Sequence, residues 1–348
     1  MKRMKVFATG LLAMTFLLGS TACGGQESEE GNKVNLIPIA NPAEISPALG
    51  YDYYLAAEPL ASLKVKMTAN LEKPLRVVAD LQRLYGGEHG YPQAVLVAKN
   101  SFIQEVGTSW INAFTADMAD AATWLTAETT EISTIVGAVS AHLTEGLTPS
   151  FSAANLTKEV IKNCGVRFEN AWECKAKVNA FLQELMGVSE NAAKAVSDNF
   201  FMSENESVSG TESEISAKIF MPDGAPALAM AKFMSENRAD CEFNVVEAST
   251  IASYVTGVNP AADLCVLPLN AASKLLGTGE KFTMLGTVTH GNLYLLSSNA
   301  TQTIESLEEL KALQGKKVGT IQIDNVPGLT LKLILKKSGL SYDQPSLN

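Results

Sequence analysis

The sequence predicts an α/β protein built on parallel strands, and three observations carry that expectation. From Glu214 onward, strand-like and helix-like segments alternate. The strand segments are near-continuous apolar runs, such as "KVNLIPIA" and "ADLCVLPLN", as expected of strands covered on both faces. The turns that follow them carry Gly, Pro and Asn, the residues that open helices and tight loops. With 348 residues, 46% of them hydrophobic, the chain is long enough for about two domains with packed cores.

Each element has a local reason. "MKRMK" is basic, Val6 to Leu18 is a short apolar run, and "GSTAC" places small residues before Cys23. This is the pattern of a secretory signal, too short for a stable transmembrane helix. "GGQESEEGN" is then a polar tether over 24–32. "KVNLIPIA" reads as a strand, "NPAEISPALG" as a short helix, "YDYYLAAEP" as a strand and "LASLKVKM" as the start of a helix. "LRVVADLQRLYGGEHGYPQAVLVAKN" holds strands around a Gly-rich loop. From Ser101 to about Phe201 the spacing is mostly helical, and its apolar stripes read as core.

Met202 to Glu214, "MSENESVSGTESE", is acidic, Ser-rich and nearly free of apolar residues, which reads as a linker. After it come strand and helix in turn: "AKIFMPDG", "APALAMAKFMSEN", "EFNVVEAS", "TIASYVTG", "ADLCVLPLN" and "AASKLLGTG". "FTMLGTVTHGNLYLLSS" is strand, kink, strand. "TIESLEELKALQG" is a helix with Thr303 and Ser306 as candidate caps. Lys317 to Ile323 is a strand, and Leu329 to Lys337 a helix. A helix leaving a parallel strand must return to another strand, yet few residues follow this one.

The formal net charge of −10 argues against a nucleic-acid partner. The five Cys and three His lack CxxC or HExxH spacing, so no zinc or redox motif is visible and no cofactor is expected. In an exported chain Cys164 and Cys174 are close enough in sequence to pair, with free buried thiols as the alternative. Cys241 and Cys265 fall at or near two strands expected to be neighbours.

The segments "MPDGAPALAMAK", "ADLCVLPLNAASKLLG", "MLGTVTHGNLYLL" and "GKKVGTIQIDNVPGLTLKLIL" resemble the substrate-binding lipoproteins of bacterial ABC importers. The branch is similar to that for thiamine precursors, alkanesulfonates and nitrate. "AAEPLASLKVK", "LYGGEHGYPQAVLVAK" and "SAHLTEGLTPSF" resemble the later half of the same family. The resemblance implies a two-lobe, periplasmic-binding-protein-like α/β fold of type II, with ligand in the cleft. It also implies lipidation at Cys23, although Ser20 stands where the usual Leu would be.

The order of the halves is exchanged relative to the family, so the chain reads as a circular permutant. The strand to which the helix at 329–337 returns would then be Val34 to Ile39. On this reading 1–23 is the signal, 24–32 the tether, 33–97 with 303–348 lobe two, and 98–201 with 215–302 lobe one. Residues 202–214 would link the family's original ends. The crossings between lobes would lie near Leu293–Ser298 and Ala94–Lys99.

In an open parallel sheet, ligands sit beyond the carboxyl ends of the strands, where helix starts offer free N–H groups. Four loops qualify. In the first, Asp223 either takes a ligand N–H or caps the next helix, and Gly224 and Ala225 allow close approach. In the second, Asn270 and Ala271 offer an amide and space, or Asn270 is a cap. The third is His290, Gly291 and Asn292, with His290 either a ligand contact or a satisfied hinge residue. The fourth holds Asp324, Asn325 and Val326, with Asn325 and the N–H groups that follow it as donors to an anion or carbonyl. Glu58 would hold a cationic group or cap a helix, and Tyr91, like Tyr85, would cover a flat ring or pack in the core.

The expected function is capture of a small solute outside the membrane and its delivery to ABC permease subunits. The protein would be a monomer attached to the membrane through its lipid. The alternatives are an enzyme similar to thiamine-pyrimidine synthases and a ligand-free sensor or interaction lipoprotein. No nucleophile–base signature supports the enzyme, and those synthases' Cys-rich motif is missing. Replacing Cys23 with Ala is expected to move the protein from the membrane fraction to the soluble fraction. Unchanged partitioning of the C23A protein would overturn the lipoprotein assignment.

Overall fold

The computed structural model describes residues 33–86, 90–211 and 214–345. Cys23, the signal and the tether therefore lie outside the described residues, as do two linker positions. The chain is mixed α/β, with two six-stranded mixed sheets.

The first sheet combines two separate stretches of sequence. The earlier stretch supplies β1 (Val34–Ile39), β2 (Tyr53–Ala57) and β3 (Arg76–Asp80), with helices α1 (Leu60–Thr68) and α2 (Leu81–Tyr85). The later stretch supplies, in chain order, the strands Leu293–Ser297, Lys317–Ile321 and Tyr342–Asp343. Between these stretches the chain builds the second sheet. Its elements are β4 (Pro92–Lys99), α3 (Asn100–Thr126), α4 (Ile132–Ser140), α5 (Lys158–Asn163), β5 (Val166–Asn170) and α6 (Ala171–Met186). It continues with β6 (Ala217–Pro222), α7 (Ala225–Glu236), β7 (Cys241–Val246), β8 (Leu264–Pro268), α8 (Leu269–Leu276) and β9 (Phe282–His290). The later stretch of the first sheet is then β10 (Leu293–Ser297), β11 (Lys317–Ile321), α9 (Val326–Lys337) and β12 (Tyr342–Asp343).

The strand orders are β12-β1-β11-β2-β10-β3 and β5-β9-β4-β8-β6-β7. β1 pairs with β11 in parallel, with Asn35 opposite Lys317 and Ile39 opposite Ile321. This is the neighbour expected for the last helix. One detail differs, because α9 returns within its own chain to β12, a two-residue strand on the outer side of β1. So short a strand carries no period and was not legible. Val34 N–H donates to Ser341 O at 3.0 Å, and Lys33 Nζ lies 3.3 Å from Asp343 Oδ1.

Each sheet holds strands that run against its parallel set, β10 in the first and β4 and β5 in the second. β10 is antiparallel to β2 and β3, and β4 is antiparallel to β8 and β9. β10 lies wholly in the first sheet and β4 wholly in the second. The passage between sheets therefore falls at Gly291–Asn292 and between α2 and β4, a few residues before the positions expected from sequence.

Three expected helices are shorter and tighter than their sequence suggests. "NPAEISPALG" forms two 3₁₀ turns, each started by a proline, and "TIASYVTG" forms one over Ile251–Val255. "TIESLEELKALQG" forms only the turn Glu309–Leu313, with Glu309 N–H donating to Ser306 Oγ at 3.2 Å. Its buried residues, Leu310 and Leu313, are three apart, the repeat of a 3₁₀ turn. β5 was missed altogether, since its five residues are all half-buried and two are charged.

Cys164 and Cys174 do not pair, and the four described cysteines are all free thiols. β5 lies between them, and an extended strand of this length holds its ends roughly 16 Å apart. Cys174 Sγ instead faces Ala171 O. Cys241 and Cys265 are not on adjacent strands, because β6 lies between β7 and β8.

Linker 202–214 is mostly exposed over its described residues, yet it is bonded to the protein. α3 kinks at Gly107, where φ is 74°, and a Cβ there would lie 2.5 Å from Gly210 N. Thr108 N–H donates to Val208 O at 2.9 Å, and Thr211 N–H to Glu105 O at 2.8 Å. Trp110, Phe114 and Phe233 stack at 5.2 and 4.8 Å beyond the kink and hold α3 against α7.

Candidate functional site

Parallel strands bring their carboxyl ends to one edge of each sheet, and these edges carry the loops of interest. In the first sheet β11 and β2 are parallel neighbours, so the loops holding Asp324 and Glu58 share an edge. In the second sheet β6 and β8 are parallel neighbours, so Asp223 and Asn270 share an edge.

The two edges meet. Gly224 has φ of 93° and caps α7 without a side chain. A Cβ added there would lie 3.6 Å from Ser150 Oγ and 4.0 Å from Pro59 Cδ. Asp223 Oδ2 accepts from Ser150 N–H at 2.6 Å, while Asp223 Oδ1 and Ser150 Oγ are buried without a partner. Asp223 thus does not cap α7; it holds the loop that contains Ser150. Ala225 is buried in the first turn of that helix.

Glu58 precedes Pro59 on the facing edge and is 4% exposed. Its carboxylate accepts from Ser62 N–H at 3.0 Å and Ser62 Oγ at 2.7 Å, so it does cap α1. Asn292, from the crossing segment, supports it from behind. Glu58 N–H donates to Asn292 O at 2.9 Å, and Asn292 Nδ2 to Glu58 O at 3.3 Å. Asn292 Oδ1 is buried and unpartnered. Lys66 of α1 reaches across to Ala154 O in the loop that carries Ser150.

Asn270 is fully buried in the first turn of α8. Its Nδ2 donates to Ala192 O at 3.2 Å and lies 3.5 Å from Asp324 O, so the second and fourth loops also touch. Its Oδ1 has no partner. Ala271 beside it is half-buried.

Other expected residues serve different ends. Asp324 is exposed and pairs at 3.2 Å with Lys332, whose buried ammonium also donates to Ile323 O at 2.9 Å. Its carboxylate is thereby engaged, and it has no donor to offer an anion. Asn325 is the exposed N-cap of α9 and makes no side-chain cap bond, while Val326 is core. Tyr91 is fully buried, stacks on Phe181 at 5.3 Å and donates to Gln82 Oε1 at 3.2 Å. It is core at the junction of the sheets, not a cover for a ring. Tyr85 donates to Glu184 Oε2 at 2.7 Å.

His290 lies beside the crossing segment with one ring nitrogen engaged and its Nδ1 buried without a partner. Its Nε2 lies 3.1 Å from Thr287 Oγ1 and 3.6 Å from Glu169 Oε2 on β5, within the second sheet. Burial lowers its pKa. The segment leaves no space for side chains: a Cβ at Gly165 would lie 1.7 Å from His290 O, and one at Gly291 2.3 Å from Gln82 Cγ. Ser150, Ser62, Gln82 and Lys332 escaped the sequence reading. Ser150 sits in the unpatterned "TPSFS", and the other three lie on helices, where spacing alone does not separate a seam contact from a solvated face.

Among the described residues no cluster of three or more His, Cys, Asp or Glu could hold a metal ion, and no helix is long and apolar enough to cross a membrane. A cavity of about 660 Å³ lies away from both edges, against Trp172, Phe201 and the start of the linker. Comparison with protein-family models, curated proteins and solved structures finds no match.

The carboxylates divide into two classes. Burial raises the pKa of Glu58 and of Asp223. The bond with His290 draws Glu169 down to about 2, and the bond with Arg238 draws Asp240 down to about 2. A raised carboxyl binds its proton more tightly when folded, so its stabilisation is full below its unfolded pKa and lost as pH rises through the folded value. A lowered carboxyl stabilises above its unfolded pKa and loses that contribution as pH falls toward about 2. Urea unfolding across roughly pH 3 to 7 should show both slopes. Glu58→Gln should flatten the loss on the rising side, and Glu169→Gln the loss on acidification. PH profiles identical to that of the parent would contradict these environments.

Proposed function

We propose that this chain is an extracytoplasmic solute-binding lipoprotein that holds a small molecule between two lobes and delivers it to an ABC importer. One observation carries the reading: Pro59, which follows Glu58 at the end of β2, faces Gly224 at the end of β6, where a Cβ would lie 4.0 Å from Pro59 Cδ and 3.6 Å from Ser150 Oγ, beside the bond from Ser150 N–H to Asp223. Loops at the carboxyl ends of two parallel sets converge on a seam whose buried polar atoms lack partners. A polar group left unpaired in a dry seam costs on the order of 1–3 kcal/mol, which a hydrogen-bonding solute would recover.

Among the described residues two chain connections join the sheets, at Gly291–Asn292 and between α2 and β4. Opening about such a pair would admit solute, and closure would bury it, with no bond made or broken. The apolar run before Cys23 supports export and lipid attachment.

The family order and the ends of the described chain support a permuted, two-lobe type II fold. Lys33 and Asp343 form an ion pair, and β1 lies between β11 and β12. Residues 202–214 would then be the acquired connection. A chain joined from residue 345 to residue 33 by a short Gly-Ser segment, and opened between 203 and 209, is expected to fold with a Tm within about 5 °C of the parent. Failure of that chain to fold would count against permutation.

Native mass spectrometry of the protein from its own host is expected to show one small molecule per chain, released unchanged on denaturation. A chain purified without solute and unmoved in Tm by any candidate solute would overturn the binding function. Release of a chemically altered compound would favour an enzyme.

A further inference from the structure

We propose that the solute held at this seam is an organic cation, an amine or amidine bearing N–H donors, and that oxyanions are excluded. This rests on the solute-binding reading and adds the chemical class.

The first observation is an imbalance of charge. Glu58 is 4% exposed and Asp223 half-buried, yet neither forms an ion pair with Lys or Arg among the described residues. The charged group that acts on Glu58 is another acid, Glu159 of α5. The ammonium groups of Lys64, Lys66 and Lys332 are already used, Lys64 donating to Ala43 O. Lys66 donates to Ala154 O, and Lys332 donates to Ile323 O and pairs with Asp324. Buried carboxylates without a counter-charge are costly, and the usual remedy is a cation with its own hydrogen bonds.

The second observation is independent of charge. Asn292 is 2% exposed, sits directly behind Glu58, and leaves its Oδ1 unpartnered. Asp223 Oδ1 is likewise unpartnered and buried. Both are acceptors, and the hydroxyl of Ser150 beside Asp223 can accept as well as donate. Open acceptors require donors from the solute. An N–H cation satisfies them through charge-assisted bonds, whereas an oxyanion would add like charge and leave every acceptor open.

The test is thermal unfolding of the full chain with defined probes: acetamidine, propylamine and 4-aminopyridine as N–H cations, and nitrate, methanesulfonate and phosphate as anions. Sodium chloride at matched ionic strength is the control. At saturation at least one cation should raise Tm by about 3 °C or more, while the anions should match the control. Asp223→Asn should weaken binding of the active cation by about tenfold or more, and Ser150→Ala should weaken it less. Both variants preserve the backbone, and their unliganded Tm reports folding separately.

A shift with nitrate or methanesulfonate that survives Asp223→Asn would overturn the cation class and leave solute binding intact. No shift with any cation, together with a bound solute in the native mass spectrum, would also overturn the class alone. No shift and no bound solute would remove both.

Discussion

The parallel pairing of β1 with β11 is the constraint on which the rest depends. It joins two stretches of chain nearly three hundred residues apart into one sheet and sets the direction of their loops. With β2 parallel on the other side of β11, Ile39, Ile321 and Ala57 all end near one edge. The strands are covered, so a slip of one residue would exchange their faces. Leu36, Val318 and Leu55 are each fully buried. Their burial makes the register costly to change, at about 1.5–3 kcal/mol for each such side chain. The position of Glu58 opposite the second sheet follows from that register.

The second constraint is steric. The chain leaves β9 and enters β10 through a segment enclosed by backbone and by Gln82. Gly165 and Gly291 are required because no Cβ fits beside them, and at Gly165 the positive φ is an additional reason. The same segment places Asn292 behind Glu58. The crossing between sheets and the candidate site are thus one piece of structure, so movement at the crossing would be felt directly at the carboxylate.

The electrostatics follow a single pattern. Carboxylates on the outer faces have partners, as in Asp240 with Arg238 and Glu169 with Lys177. At the meeting edges Asp324 pairs with Lys332, while Glu58 and Asp223 have hydroxyls and N–H groups but no cation.

Much of the architecture was legible in the residues. The apolar runs of β1, β2, β6, β8, β9 and β11 and the turn chemistry at Gly224 and Pro327 determined strands, helix starts and an α/β class, because these depend on neighbours in sequence. The pairing of β1 with β11 was expected as well, although the strand to which α9 returns is β12. β5 and β12 were hidden, being short and half-exposed, and the turn at Glu309–Leu313 looked helical by composition. For the site, sequence marked the loops but not the roles. Asp223 holds Ser150 and Glu58 caps α1, while Asp324 pairs with a lysine, His290 with Glu169, and Tyr91 with Phe181. Cys164 and Cys174, near in sequence, are separated by a strand. Ser150 had no signal, because its role comes from Asp223, 73 positions away. Local sequence determines what a segment can become, since backbone propensity and periodicity act over a few residues. Which side chains share a buried seam is decided only when distant segments pair, because burial and hydrogen bonding depend on distance in space.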